Sequence, residues 1–120
     1  MVYVQGFVIP VPTDKKDAYR AMCEKVGPIF KEYGVLRMVE TWGVDVPDGE
    51  VTDFRRSVQA EAGESVVFSW LVWPDKTTCD EAASKIMEDP RMRPDGEIPF
   101  DGKRMIFGGF EPIYDDGGEG

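Results

Sequence analysis

The chain has 120 residues, 42% apolar and 31% charged, with 23 acidic against 14 basic side chains and a net charge of −9. That composition is one domain's worth of folded protein, and so acidic a balance works against duplex nucleic acid and anionic membrane surfaces as partners. Histidine is absent and Cys23 and Cys79 are the two thiols, which excludes Ser-His and Cys-His nucleophile pairs, the usual zinc and non-haem iron sets and Cys-x-x-Cys chemistry.

Apolar runs all stay below the roughly 18 residues that a membrane span needs. The opening Met-Val-Tyr-Val-Gln-Gly-Phe has neither a basic n-region nor a small-residue cleavage site, so the expected location is cytoplasmic.

Tyr3 to Val11 alternates as a first strand, with Tyr3, Phe7 and Ile9 on one face and Val4, Gly6 and Val8 on the other; Pro10 and Pro12 are expected to end it. Thr13 or Asp14 is placed to cap a helix whose stripe is Tyr19, Met22, Cys23, Val26, Ile29, Phe30 and Tyr33. Gly27-Pro28 predicts a kink in it, and Gly34 a left-handed stop. Val35 to Val46 reads as a second strand, with Leu36, Met38, Trp42 and Val44 on one face and Glu40 among them. Beyond the turn at Pro47-Asp48-Gly49, Phe54 and Val58 share one face of a short helix starting at Thr52 or Asp53.

Val66 to Trp73 is the strongest strand, apolar on both faces and broken only by Ser69. Thr78 with Glu81 predicts a capping box for a second helix, striped by Cys79, Ala82, Ala83, Ile86 and Met87 and stopped by Pro90. A Pro- and Gly-rich loop then leads to a last strand, with Met105 and Phe107 on one face and Ile106, Gly108 and Phe110 on the other. Residues 1–114 are expected to form the domain and 115–120 a disordered acidic tail.

The order is βαββαβ, an α+β ferredoxin-like arrangement: a four-stranded antiparallel sheet with both helices on one face. The other face would then expose Phe68, Trp70, Ile106 and Phe110, or else Leu71, Trp73, Met105 and Phe107. A monomer rarely leaves so large an apolar patch wet, which predicts a homodimer closed face to face as an α+β barrel.

Four blocks carry a family resemblance: YVQGFVIPVP at the start, TWGVDVPDGEVTDF and VVFSWLVWPDK in the middle, and FDGKRMIFGGF from Phe100 to Phe110. Together they resemble domain of unknown function 1428, the YbaA-like family. The resemblance implies a dimeric α+β barrel of ferredoxin-like protomers. It implies no activity, and no catalytic residue can be carried over from it.

The candidate ligand-binding residues are Arg37, Trp42, Asp101, Lys103 and Arg104. Basic groups beside strand ends could hold an anionic or carbonyl group at a barrel mouth, although ordinary salt bridges to Glu40, Asp45 or Asp101 are the favoured explanation. Trp42, Trp70 and Trp73 suit either a ligand cavity or the core. Asp45, Asp48, Glu50 and Asp53 do not have calcium-loop spacing. Gly108-Gly109 reads as a bulge or a close approach of chains. Cys23 has no histidine to activate it and reads as a structural thiol. No metal or cofactor is called for.

The resulting expectation is a cytoplasmic dimer that binds a small, partly apolar molecule in the barrel or between helices and sheet. The alternatives are a cofactor-free enzyme of monooxygenase or isomerase type, with Arg37, Asp101 and Tyr19 as its groups, and a purely structural or partner-binding dimer.

Overall fold

A computed structural model describes residues 2–117 of the chain. Met1 and residues 118–120, the ends of the expected domain and tail, lie outside the described residues. The elements are β1 (Tyr3–Pro12), a 3-10 turn (Thr13–Lys15), α1 (Lys16–Glu32), β2 (Arg37–Trp42), α2 (Phe54–Ser57), β3 (Glu64–Trp73), α3 (Lys76–Glu88), a second 3-10 turn (Pro90–Met92) and β4 (Ile106–Phe110). The four strands form one sheet in the order β2-β3-β1-β4, every neighbouring pair antiparallel. The protein is therefore an α+β fold.

Alternation along the strands divides the side chains cleanly. Val67, Leu71 and Trp73 of β3, with Ile9 and Val11 of β1, are buried beneath α1 and α3. Both long helices thus cover one face. On the other face Phe68, Ile106 and Phe110 are 45%, 45% and 60% exposed. The ring of Phe68 contacts Trp70 at 5.7 Å and Phe54 of α2 at 5.9 Å. Of the first expected set Phe68, Ile106 and Phe110 are exposed and Trp70 is half-buried; of the second, Leu71 and Trp73 are buried but Phe107 is exposed.

Contrary to expectation, β1 runs through both prolines. The Thr13 amide donates to the Gly63 carbonyl at 2.8 Å, so odd-numbered residues of β1 aim their N–H groups at β3. Pro10 and Pro12, being even, turn their missing donors to the β4 side, where pairing has already stopped at Val8 with Ile106. No ladder bond is lost there.

Other boundaries also move. Strand β2 is shorter than expected because Gly43 donates the last rung to Val66 and Val44 is fully outside the sheet. Helix α1 continues through Pro28 as a single element and closes at Gly34, whose φ is +114°. Neither Thr13 nor Asp14 caps it; Thr13 instead shares a 2.8 Å hydroxyl bond with Ser65. Gly108 and Gly109 lie in unbroken register opposite Gly6 and Gln5, and the Phe110 ring covers the space that Gly6 and Gly108 leave free. Ala83 and Met87 of α3 are exposed, not buried.

The cap of α3 is Asp75 rather than Thr78. Its carboxylate accepts from the Thr78 amide at 2.7 Å, which holds the acid below its usual pKa. Asp75→Ala should therefore lower the midpoint of urea unfolding, whereas Glu81→Ala should leave it close to that of the wild type. The reverse ranking would restore the capping box.

Candidate functional site

A cavity of about 560 Å³ opens between α1, the helix-covered face of the sheet and the irregular segment that follows α3. Phe7 and Ile9 of β1, Met38 of β2 and Leu71 of β3 form its floor. Met22, Cys23 and Val26 of α1 form one wall, and residues 92–100 with Met105 close the other side. That segment is held at the rim by Lys25, whose ammonium donates to the Arg93 carbonyl at 2.9 Å and pairs with Asp95 at 3.1 Å.

One carboxyl group lies in this apolar chamber. Glu40 points inward because Met38 and Trp42, two residues to either side, are packed on the helix side. The Tyr19 hydroxyl donates to its Oε1 at 2.7 Å, and Ser69, its cross-strand partner and 1% exposed, lies opposite it. Burial raises the Glu40 pKa against the pull of the Tyr19 bond and of Ser69. Burial, then the Glu40 charge, raises Tyr19; the same two causes push the Cys23 thiol up to about 12. Cys23 is therefore a protonated thiol at neutral pH.

The five residues singled out from sequence do not assemble here. Arg104 forms a paired bond to Glu64 at 2.6 and 2.8 Å and reaches Asp101 at 2.9 Å and the Gln59 carbonyl at 2.9 Å. These contacts hold the Glu64 and Asp101 carboxyls below their usual range. Lys103 is exposed, and its amide donates to Asp101. Trp42 is half-buried with the Lys16 ammonium 5.7 Å from its ring centre. Arg37 is exposed beside Val72, and Val72 and Glu64 lie about 27 Å apart along β3 at ~3.4 Å per residue. Arg37 and Arg104 thus lie at opposite ends of the sheet.

Asp53, one of the four acids of the loop, caps α2 through the Arg56 amide at 2.7 Å and is drawn down to about 2 by that bond and the Arg56 side chain. Trp73 is core, its indole donating to Gln5 at 2.8 Å. Among the described residues no group of three metal-ligating side chains converges, and no helix is long and apolar enough to cross a membrane.

Glu40 and Ser69 were the residues that sequence reasoning passed over as members of a site. Each is the single polar interruption of an inward-facing alternation, and the two are opposite each other across β2 and β3. That coincidence was the available signal.

The model of the family described as "Protein of unknown function (DUF1428)" matches residues 2–102. The chain belongs to this family. It is also 62% identical over 117 residues to "Uncharacterized protein YbaA" of Escherichia coli strain K12, covering 97% of this chain and 100% of the relative. The proteins of the same name from Escherichia coli O157:H7 and Shigella flexneri show the same identity and coverage. Family membership thus spans the elements that build the cavity, from β1 through Phe100, and assigns it no activity.

The raised Glu40 pKa has a direct consequence for stability. A carboxyl whose folded pKa lies above its unfolded value favours folding below the unfolded pKa and loses that contribution as pH rises through the folded one. The stability difference between Glu40→Gln and wild type should therefore shift in favour of the variant as pH rises from about 4 to about 8. A difference constant with pH would mean that Glu40 is not desolvated.

Proposed function

We propose that this protein is a homodimer of ferredoxin-like protomers, paired through their uncovered sheet faces into an α+β barrel, and that each protomer binds a small, largely apolar molecule in the cavity beneath α1. The observation that carries the ligand reading is the cavity itself, about 560 Å³ and walled by Phe7, Met22, Val26 and Leu71, with one polar cluster at Glu40 on its floor and charged side chains at its rim. A few convergent polar groups in an apolar chamber of that volume are what small-molecule sites have in common.

The strand order β2-β3-β1-β4, all antiparallel with α1 and α3 on one side, supports the ferredoxin-like reading. Phe54, Phe68, Ile106 and Phe110 on the other side support the dimer, since burying each against a second copy is worth about 1.5–3 kcal/mol before the cost of association. The cytoplasm is the compartment we assign. A cofactor-free acid–base enzyme is the second reading, favoured by a carboxyl of raised pKa facing a cavity. The open chamber weighs against a purely structural dimer.

Two measurements test these readings separately. Wild-type protein should sediment at twice the 13.5 kDa chain mass, and Phe68→Asp combined with Ile106→Asp should sediment as a single chain. A wild type that is monomeric at micromolar concentration ends the barrel. For the ligand site, the neutral dye Nile red should brighten on the wild type, and Val26→Trp, which fills the chamber, should weaken its binding about tenfold or more at unchanged circular dichroism. Equal dye binding by Val26→Trp would place the dye elsewhere and remove the cavity reading.

A further inference from the structure

The chemistry of the chamber goes further than its size, on the premise that the cavity is a ligand site. Its walls are hydrocarbon and aromatic, so an occupant must be mostly apolar. Lys25, Arg93, Asp95 and Glu97 line its rim, and the charge-bearing group on its sheet floor is Glu40, whose carboxylate accepts from the neutral hydroxyl of Tyr19 beside Ser69. Among the described residues no ion pair joins Glu40.

The cations nearest the chamber are occupied or outside it. Lys25 is engaged at the rim by Asp95 and the Arg93 carbonyl, the Arg93 side chain is exposed, and Lys16 sits over Trp42. Asp95 and Glu97 offset Lys25 and Arg93 at the mouth, and the whole chain carries −9. An anionic head placed on the sheet floor would meet the Glu40 carboxylate, because the basic side chains of the lining, Lys25 and Arg93, belong to the rim. A half-buried carboxylate that lacks a cation is partly desolvated without compensation, and a cation arriving with the ligand would relieve that cost.

We propose that the cavity takes a compact organic amine in its protonated form, with the apolar body against Phe7, Met22 and Leu71 and the ammonium on the Glu40 carboxylate. The Tyr19 hydroxyl stays on Oε1 and orients the carboxylate as a positioning group. No bond is made or broken; the one accompanying event is loss of a proton from Glu40 where that group is protonated before binding. The groups that face it are Tyr19, Cys23 and Lys25 of α1, Ser69 of β3, and Arg93, Asp95 and Glu97 of the rim. Tyr19 and Cys23 are both held protonated at neutral pH, and Glu40 is the carboxyl of the inner cluster, its pKa raised by burial.

The test uses three probes of matched body and different head: 2-phenylethylamine, 2-phenylethanol and 3-phenylpropionate, titrated into the full chain by calorimetry. The amine should bind about tenfold or more tighter than the alcohol, and the carboxylate weakest, as expected when a charge-assisted bond replaces a neutral one. Glu40→Gln should remove the advantage of the amine and leave the alcohol within about twofold. Amine affinity should rise from about pH 5 to about pH 8, and buffers of different ionisation enthalpy should register proton release at the acid end.

The wild-type comparison stands even where Glu40→Gln folds poorly. If the alcohol binds as tightly as the amine, or the amine advantage survives in folded Glu40→Gln, the charge inference is wrong while the cavity reading remains. If none of the three probes binds and Nile red is also excluded, the cavity reading has failed and takes this inference with it.

Discussion

Strand β3 is apolar on both of its faces, and the rest of the molecule is arranged around that fact. Val67, Leu71 and Trp73 project to one side and Val66, Phe68, Trp70 and Val72 to the other, so no register puts all of them under the same cover. Pairing with β1 over ten residues and with β2 over six fixes which set faces the helices. A slip of one residue would exchange the sets, moving Trp73 from 1% exposure to solvent and leaving its indole without Gln5. The helix-covered set therefore carries most of the core, while Phe68 of the remaining set meets Phe54 of α2 and stays 45% exposed.

The same alternation explains how a carboxyl came to be inside. Once Met38 and Trp42 of β2 are committed to the core side, Glu40 between them has no choice of face. A hydrophobic residue of similar volume would remove the desolvation cost and leave Tyr19 free to bond elsewhere. The fold instead supplies a hydroxyl donor from α1, Tyr19, and sets Ser69 of β3 opposite the group. Fully provided polar clusters inside an apolar wall break local rules of stability, and such breaks concentrate where proteins bind or react.

Much of this was readable in the residues. The strands, the faces of β1, β3 and β4, the short helix capped at Asp53 and the left-handed Gly34 all follow from period and turn chemistry, which are local. What escaped needed neighbours that the sequence does not print. Pro10 and Pro12 stay in β1 because β4 happens to end before them; Asp75 outcompetes Thr78 because the chain leaves β3 one residue after Trp73 and turns at once. The basic residues beside strand ends drew attention as charges, yet Arg104 is consumed by Glu64 and Asp101 while Arg37 sits at the far end of the sheet. Glu40 drew little, because one acid in an apolar strand looks like an exception until Ser69 and Tyr19 are seen to meet it.

The two faces also divide the work in a way that keeps the proposals separable. Residues proposed to meet a second copy, Phe68, Ile106 and Phe110, lie on the side of the sheet opposite Phe7, Leu71 and Glu40. A charge placed on the first group disturbs association without touching the walls of the chamber, and a side chain placed in the chamber leaves the uncovered face as it was. What links them is the backbone of β1 and β3, which belongs to both. Pairing of two copies would bury the uncovered face and stiffen those strands, and the floor of the chamber is made from the same residues' alternate neighbours. Association would therefore reach the cavity through the rigidity of its floor rather than through any side chain crossing from one protomer into the other.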